Sequence, residues 1–343
     1  MREGLLIKAY GGFYYVRAEG RTWELRARGR LRRGAPVEVA APRLRQQAGD
    51  QFATLTIKVA RLQAGARRTQ TAGRPDTGSA PGFPALPGAP VVGDRVMFTP
   101  MENGSGTLES ILPRSNVLAR PRVANVDQVL LVVPLAHPDP DLNLTDRMLI
   151  CCQSERLQTL ICFNKLDLVS REEADRLLSV YGEAGYQVFA ASALKGDGLD
   201  TLRRAVDGKI SVLAGPSGAG KSTIINALDP CFAQGTGEIS QKLGQGRHTT
   251  RYVELLPVAG GFIADTPGFS NLDLPPLGRA DLAKYFPEIK SLAGECRFLN
   301  CLHHNEPDCA VKQALDKGLI VASRYRNYLS FLAEVLVKER TYS

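Results

Sequence analysis

The stretch ICFNKLDLVS, residues 161–170, decides how this 343-residue sequence is read. An apolar run typical of a buried strand ends in Asn164-Lys165-Leu166-Asp167, residue types suited to reading a guanine base. The one phosphate-loop pattern, GPSGAGKS at residues 215–222, lies after it rather than before it. In the usual nucleotide-binding order the phosphate loop comes first. Either NKLD is a coincidence of common residues, or the elements of one domain have been rotated in sequence while keeping their places in space.

The chemistry of each element favours the second reading. Asp167, at a strand end, can accept the paired N1–H and N2–H donors of guanine, which adenine does not offer. A base lacking those donors would leave the carboxylate unpaired. Asn164 is expected at the base edge, and the Lys165 stem over the base face. The segment ASA, residues 191–193, follows another strand-like run and would set the Ser192 and Ala193 backbone against the guanine O6. In GPSGAGKS the residues Gly215, Pro216, Ser217, Gly218, Ala219 and Gly220 form a turn whose N–H groups close around phosphate oxygens at a helix N-terminus. Lys221 is expected to reach the β and γ phosphates and Ser222 to ligate Mg²⁺, with Thr223 beside them.

Two further elements follow. DTPG, residues 265–268, supplies Asp265 as a carboxylate that can hold Mg²⁺ through water and Gly268 as an N–H that can sense a γ-phosphate. Between it and the phosphate loop lies GQGRHTTRY, residues 244–252, where either Thr249 or Thr250 could complete the Mg²⁺ shell. The cofactors this implies are GTP or GDP and Mg²⁺.

Outward from these motifs the chain divides into three blocks. Residues 116–272 alternate apolar strand runs with helical stretches and place every motif at a strand's end, which predicts an α/β sheet carrying a permuted P-loop nucleotide domain. Residues 1–115 contain GLLIKAYGGFYYVRA, PVEVA, FATLTIKVA and DRVMFTP, short β-rich runs broken by Gly and Pro, which predict an all-β, OB-like barrel. The run 69–90 holds five Pro and four Gly and reads as a long loop within that barrel. Residues 273–343 form a mainly helical third block.

Charge and cysteine usage narrow the partners. Residues 1–68 hold 15 Lys or Arg against 5 Asp or Glu, leaving 28 against 30 for the rest, so the net charge of +8 belongs to the barrel end. That favours a polyanion, RNA above all, with Trp23, Phe13, Tyr14 and Tyr15 as stacking candidates unless strand alternation turns them inward. No apolar run approaches the roughly 18 residues of a membrane span, and no secretory leader is evident, so a cytoplasmic protein without a membrane partner is expected. Seven cysteines, two of them adjacent at Cys151 and Cys152, fit a disulfide framework poorly. In GECRFLNCLHHNEPDCAVK the residues Cys296, Cys301 and Cys309, with His303 or His304, supply three thiolates and an imidazole, a donor set for one structural Zn²⁺.

The order NKLD, ASA, GPSGAGKS, RHTT, DTPG resembles that of the circularly permuted GTPases. RPRVANVDQVLLVV, GRHTTR and DTPGFS look like the RsgA family within them, and the likeness runs over essentially the whole chain. The resemblance implies a GTPase that binds the small ribosomal subunit and its rRNA, without DNA and as a monomer, and acts late in that subunit's maturation, with hydrolysis stimulated by the subunit. It carries the zinc imidazole to His303. It also supports His248 as the catalytic residue, since Phe269 stands where many GTPases have a water-orienting Gln and has no hydrogen-bonding group. A zinc-containing RNA-binding module that uses GTP as a conformational anchor, or a permuted GTPase acting on the large subunit, are the competing readings.

Overall fold

A computed structural model describes residues 1–28, 88–118, 121–229, 253–264 and 273–341. Strands β1 (Arg2–Tyr10), β2 (Phe13–Ala18), β3 (Arg21–Ala27), β4 (Arg95–Pro100) and β5 (Ser105–Ile111) close a barrel in the order β1-β2-β3-β5-β4. This is the OB-like topology, with β3 and β5 parallel and the other pairs antiparallel. Alternation sets the barrel core: Leu6, Val16, Trp23, Leu25, Val96, Phe98 and Leu108 point inward. Two of the expected strands, PVEVA and FATLTIKVA, and the Pro/Gly run up to residue 87 lie outside the described residues. The closing strand β5 was not anticipated, because SGTLESI has only two large apolar residues.

Strand alternation turns Trp23 inward: it is 7% exposed, with its ring 5.7 Å from that of Phe98 in a tilted arrangement, so it is core rather than an RNA platform.

The central unit is a six-stranded sheet, β10-β11-β9-β6-β7-β8, built from β6 (Gln128–Pro134), β7 (Gln158–Asn164), β8 (Gln187–Ala191), β9 (Ile210–Ala214), β10 (Leu255–Val258) and β11 (Gly261–Ala264). All its pairings are parallel except β10 with β11. Every residue of β6 is buried, because successive side chains go to opposite faces and both faces are covered. Leu131, Val133, Ile161 and Phe163 meet α1 (Leu142–Ser154) and α2 (Arg171–Gly182) on one face. Leu130, Val132, Leu160 and Cys162 meet α3 (Leu199–Val206) and α4 (Lys221–Leu228) on the other.

The third unit packs α5 (Pro287–Lys290), α6 (Ala310–Asp316) and α7 (Ala322–Thr341) around Phe286, Ile289, Tyr328, Phe331 and Leu332. Ile150 of α1 belongs to this core too, so α1 serves two units at once. No helix of the described residues is long and apolar enough to cross a membrane. The six described cysteines are all free thiols. Burial pushes the Cys152 and Cys162 thiols up to about 12, which keeps both protonated and unreactive.

Candidate nucleotide site and metal centre

The parallel strands β9, β6, β7 and β8 lie in that order, so their carboxyl ends share one edge of the sheet and the loops that leave them converge. Asn164, the last residue of β7 and 2% exposed, is the hub. Its Nδ2 donates to the Ala219 carbonyl of the phosphate loop at 2.9 Å, and its Oδ1 accepts from the Ala193 N–H at 3.1 Å. One amide thus fastens the base-side loops to the phosphate-side loop, a role the sequence reading at the base edge did not include. The Ser192 hydroxyl donates to Asp167 Oδ1, and its N–H donates to the Asp197 carbonyl. Asp167 is therefore aimed by a neighbour from the adjacent strand. Ser170 caps α2 and Glu173 returns the contact, which fixes the chain's exit from NKLD.

The phosphate loop is shaped by its glycines. A Cβ on Gly215, at φ +138°, would lie 2.2 Å from the Val132 carbonyl; on Gly220, at φ +89°, it would lie 2.3 Å from Asn164 Nδ2. Neither position accepts another residue without moving the sheet or the hub. Lys221 opens α4, and its ammonium donates to the Gly215 and Pro216 carbonyls at 2.9 Å each, folding it back over the loop. Ser222 and Thr223 sit in the first turn of α4.

The sequence reading missed a further wall. Lys165, in a left-handed conformation, donates from Nζ to the His137 carbonyl, and Pro138 lies against Gly218. The loop after β6 thus touches both the guanine reader and the phosphate loop. No motif marked it; its only sequence signal was its place after the central strand. His248, Thr249, Thr250, Asp265 and Gly268 lie outside the described residues.

The C-terminal cluster forms as a unit. The donor atoms of Cys296, Cys301, His303 and Cys309 lie within 4.8 Å of one another. Cys296 Sγ is 3.8 Å from Cys309 Sγ, and His303 Nδ1 is 3.5 Å from each of those two sulfurs. Metal–ligand bonds of about 2.3 and 2.0 Å in a tetrahedron place sulfurs roughly 3.8 Å apart and sulfur to nitrogen roughly 3.5 Å. The donor set fits one tetrahedral ion of zinc's size. His303 is buried, with its carbonyl held by the Tyr325 hydroxyl at 2.6 Å, while His304 is exposed and outside the cluster.

A phosphate loop, a guanine-type loop tied to it by Asn164, and the reversed order of the two define a circularly permuted P-loop GTPase. The family model for the RsgA GTPase matches residues 111–275, and that for the RsgA N-terminal domain matches residues 3–41. The chain is 42% identical to the "Small ribosomal subunit biogenesis GTPase RsgA" of Moorella thermoacetica, covering 99% of this chain and all of that one. It is 41% identical to the protein of the same name in Carboxydothermus hydrogenoformans, over 99% of each. Among solved structures it resembles YjeQ from Thermotoga maritima, with a TM-score of 0.69 and 30% identity over 98% of each chain. It also resembles YloQ, described as a circularly permuted GTPase, with a TM-score of 0.67 and 30% identity over 98% of this chain and 96% of that one. This chain belongs to the RsgA GTPase family and is a GTP-hydrolysing enzyme.

Proposed function

We propose that the protein binds the small ribosomal subunit in its GTP form, acts in late maturation of that subunit, and leaves after hydrolysing GTP. The observation that carries the GTPase part is the Asn164 hub, which joins the guanine side to the phosphate side across two strands. The ribosomal part is supported by the full-length similarity to proteins named for small-subunit biogenesis.

In this reading Asp167, held by Ser192, accepts the N1–H and N2–H pair of guanine. The second N–H of the Asn164 amide faces the base edge, the backbone of the Ser192–Ala193 loop lies towards O6, and Lys165 covers the ring. Residues 215–223 enclose the phosphates, with Lys221 released from the loop carbonyls to the β and γ oxygens. Bound Mg²⁺ would neutralise charge developing on the transferred phosphoryl group, held by Ser222, by Thr249 or Thr250, and through water by Asp265. Gly268 reports the γ-phosphate, and His248 orients the attacking water. Cys296, Cys301, His303 and Cys309 hold Zn²⁺, which supplies structure and takes no part in the reaction. The barrel of residues 1–115 contacts rRNA, the unit of 116–272 turns over GTP, and the zinc unit of 273–343 completes the docking surface. The protein works as a monomer in the cytoplasm.

Multiple-turnover phosphate release with and without purified small subunits tests this. Stimulation by small subunits is expected, with His248→Ala losing at least about tenfold of the stimulated rate at unchanged GTP binding. Stimulation by large subunits instead would transfer the activity to that particle. No stimulation by either would leave an RNA-binding module that uses GTP as an anchor.

A further inference from the structure

The barrel carries an outward side-chain array that neither the motifs nor the nucleotide site uses. In the register of β2, β3 and β5, Phe13 pairs with Arg26 and Arg26 with Thr107; two residues along, Tyr15 pairs with Glu24 and Glu24 with Ser105. Positions two apart on a strand share a face, so these six side chains form two adjacent rows of three on the outer surface. The inward positions between them, Leu25 and Gly106, are buried.

The rows border a hollow of about 320 Å³ lined, among the described residues, by Phe13, Glu24, Arg26, Met101, Ser105 and Thr107, with Gly106 at its floor. The Arg26 guanidinium lies over the Phe13 ring at 4.7 Å, which turns a mobile cation into an oriented planar platform. Met101, half exposed on the β4–β5 hairpin, forms a polarisable wall, and Ser105 Oγ lies 3.7 Å from its sulfur. Beside the platform stands the exposed Glu24 carboxylate, two residues from Arg26 on the same face and directly across from Tyr15.

We propose that this hollow binds one unstacked nucleotide of single-stranded RNA and selects guanine. The base stacks on the open face of Arg26, and the Glu24 carboxylate accepts its N1–H and N2–H donors. Adenine and uracil cannot present that pair, and cytosine offers one amino group. Ser105, whose hydroxyl donates to Asn103 Oδ1 at 2.6 Å, and Thr107 complete the polar border of the hollow. The proposal rests on the RNA-binding reading of the barrel and adds to it a place and a base.

The test uses the full chain with saturating GDP and Mg²⁺, so that the guanine reader of the nucleotide site is filled. Labelled single-stranded uridine hexamers carrying one central guanosine, inosine or adenosine are titrated by fluorescence anisotropy. Guanosine is expected to bind about tenfold tighter than adenosine, with inosine, which lacks the N2 amine, between them. Glu24→Gln should reduce that preference to less than about twofold, and Arg26→Ala or Phe13→Ala should weaken all three hexamers about tenfold. Arg26 and Glu24 are exposed, and thermal melting checks that each variant folds. An unchanged preference in Glu24→Gln, or unchanged affinities in both platform variants, overturns the proposal. Co-sedimentation of the wild-type chain with small subunits separates the two levels. Binding to subunits with no effect of these variants on hexamers removes the guanine site alone, whereas binding to neither removes the RNA-binding reading beneath it.

Discussion

The two seams that join the GTPase unit to its neighbours differ in whether they bury charge. On the barrel side, Leu5, Ile7 and Ala9 of β1 lie half-buried against the sheet core, and the one cross-seam ion pair among the described strands, Lys8 to Glu254 at 2.8 Å, is about 40% exposed at both ends. On the C-terminal side, Arg324 of α7 is 2% exposed and bonded to Asp146 of α1 and, at 2.7 Å, to Glu288 of α5. Asn327 gives Asp146 a further hydrogen bond at 2.7 Å, and Tyr181, Tyr186 and Phe286 surround the guanidinium at 4.6 to 5.5 Å. Burial alone would lower the Arg324 pKa, but Asp146 and Glu288 outweigh it and hold the group charged. The barrel seam also carries neutral hydrogen bonds, from the Ala124 N–H to the Val92 carbonyl at 2.8 Å and from Asn125 Nδ2 to the Gly93 carbonyl at 2.9 Å. A buried charge with directed partners has one good arrangement, since any slip leaves charge unpaired. The C-terminal unit is therefore fixed to α1.

Substitutions at the two seams should differ in cost. The largest effect should come from the cysteine–histidine loop proposed to hold zinc, whose Leu302 and His303 carbonyls are held by Tyr328 and Tyr325 on the same helix as Arg324. Cys309→Ser should abolish stoichiometric zinc in metal analysis. It should also remove metal-linked stability on the order of 10 kcal/mol from that unit, read as loss of the chelator-sensitive melting transition. Next, Arg324→Met leaves Asp146 and Glu288 buried without their cation. A cost of about 3–5 kcal/mol is expected by urea unfolding, partly recovered when Asp146→Asn is added. On the barrel seam, Ile7→Ala should cost about 1–2 kcal/mol, because the side chain is only half-buried. Smallest, Lys8→Ala should change stability by less than about 1 kcal/mol and lose even that in high salt. A Lys8→Ala cost equal to that of Arg324→Met would dissolve the distinction between the seams.

Most of the nucleotide site was legible because its chemistry is local: a phosphate loop needs glycines, a lysine and a hydroxyl within one strand–turn–helix, and NKLD needs its carboxylate three residues from its amide. Even there, the amide's main task was not. Asn164 lies 55 residues from Ala219 and 29 from Ala193, and its contacts with both exist only because β7 lies beside β8 and two strands from β9. The wall formed by His137 and Pro138 was missed for the same reason. Trp23 was ambiguous because an aromatic in an alternating strand faces either way until the barrel closes. Spacing could not choose between His303 and His304; a left-handed turn at His303 points one imidazole inward and leaves the other in solvent.

Residue types at short spacing are enough to give the permuted order of the nucleotide elements and the cysteine–histidine donor set. The tertiary structure alone decided the partners of buried polar groups. Arg324 and Asp146 are 178 residues apart, and nothing in either segment marks the other. A charge can be left in the interior only after folding has delivered its counter-charge, so which arginine is buried is a property of packing and not of pattern.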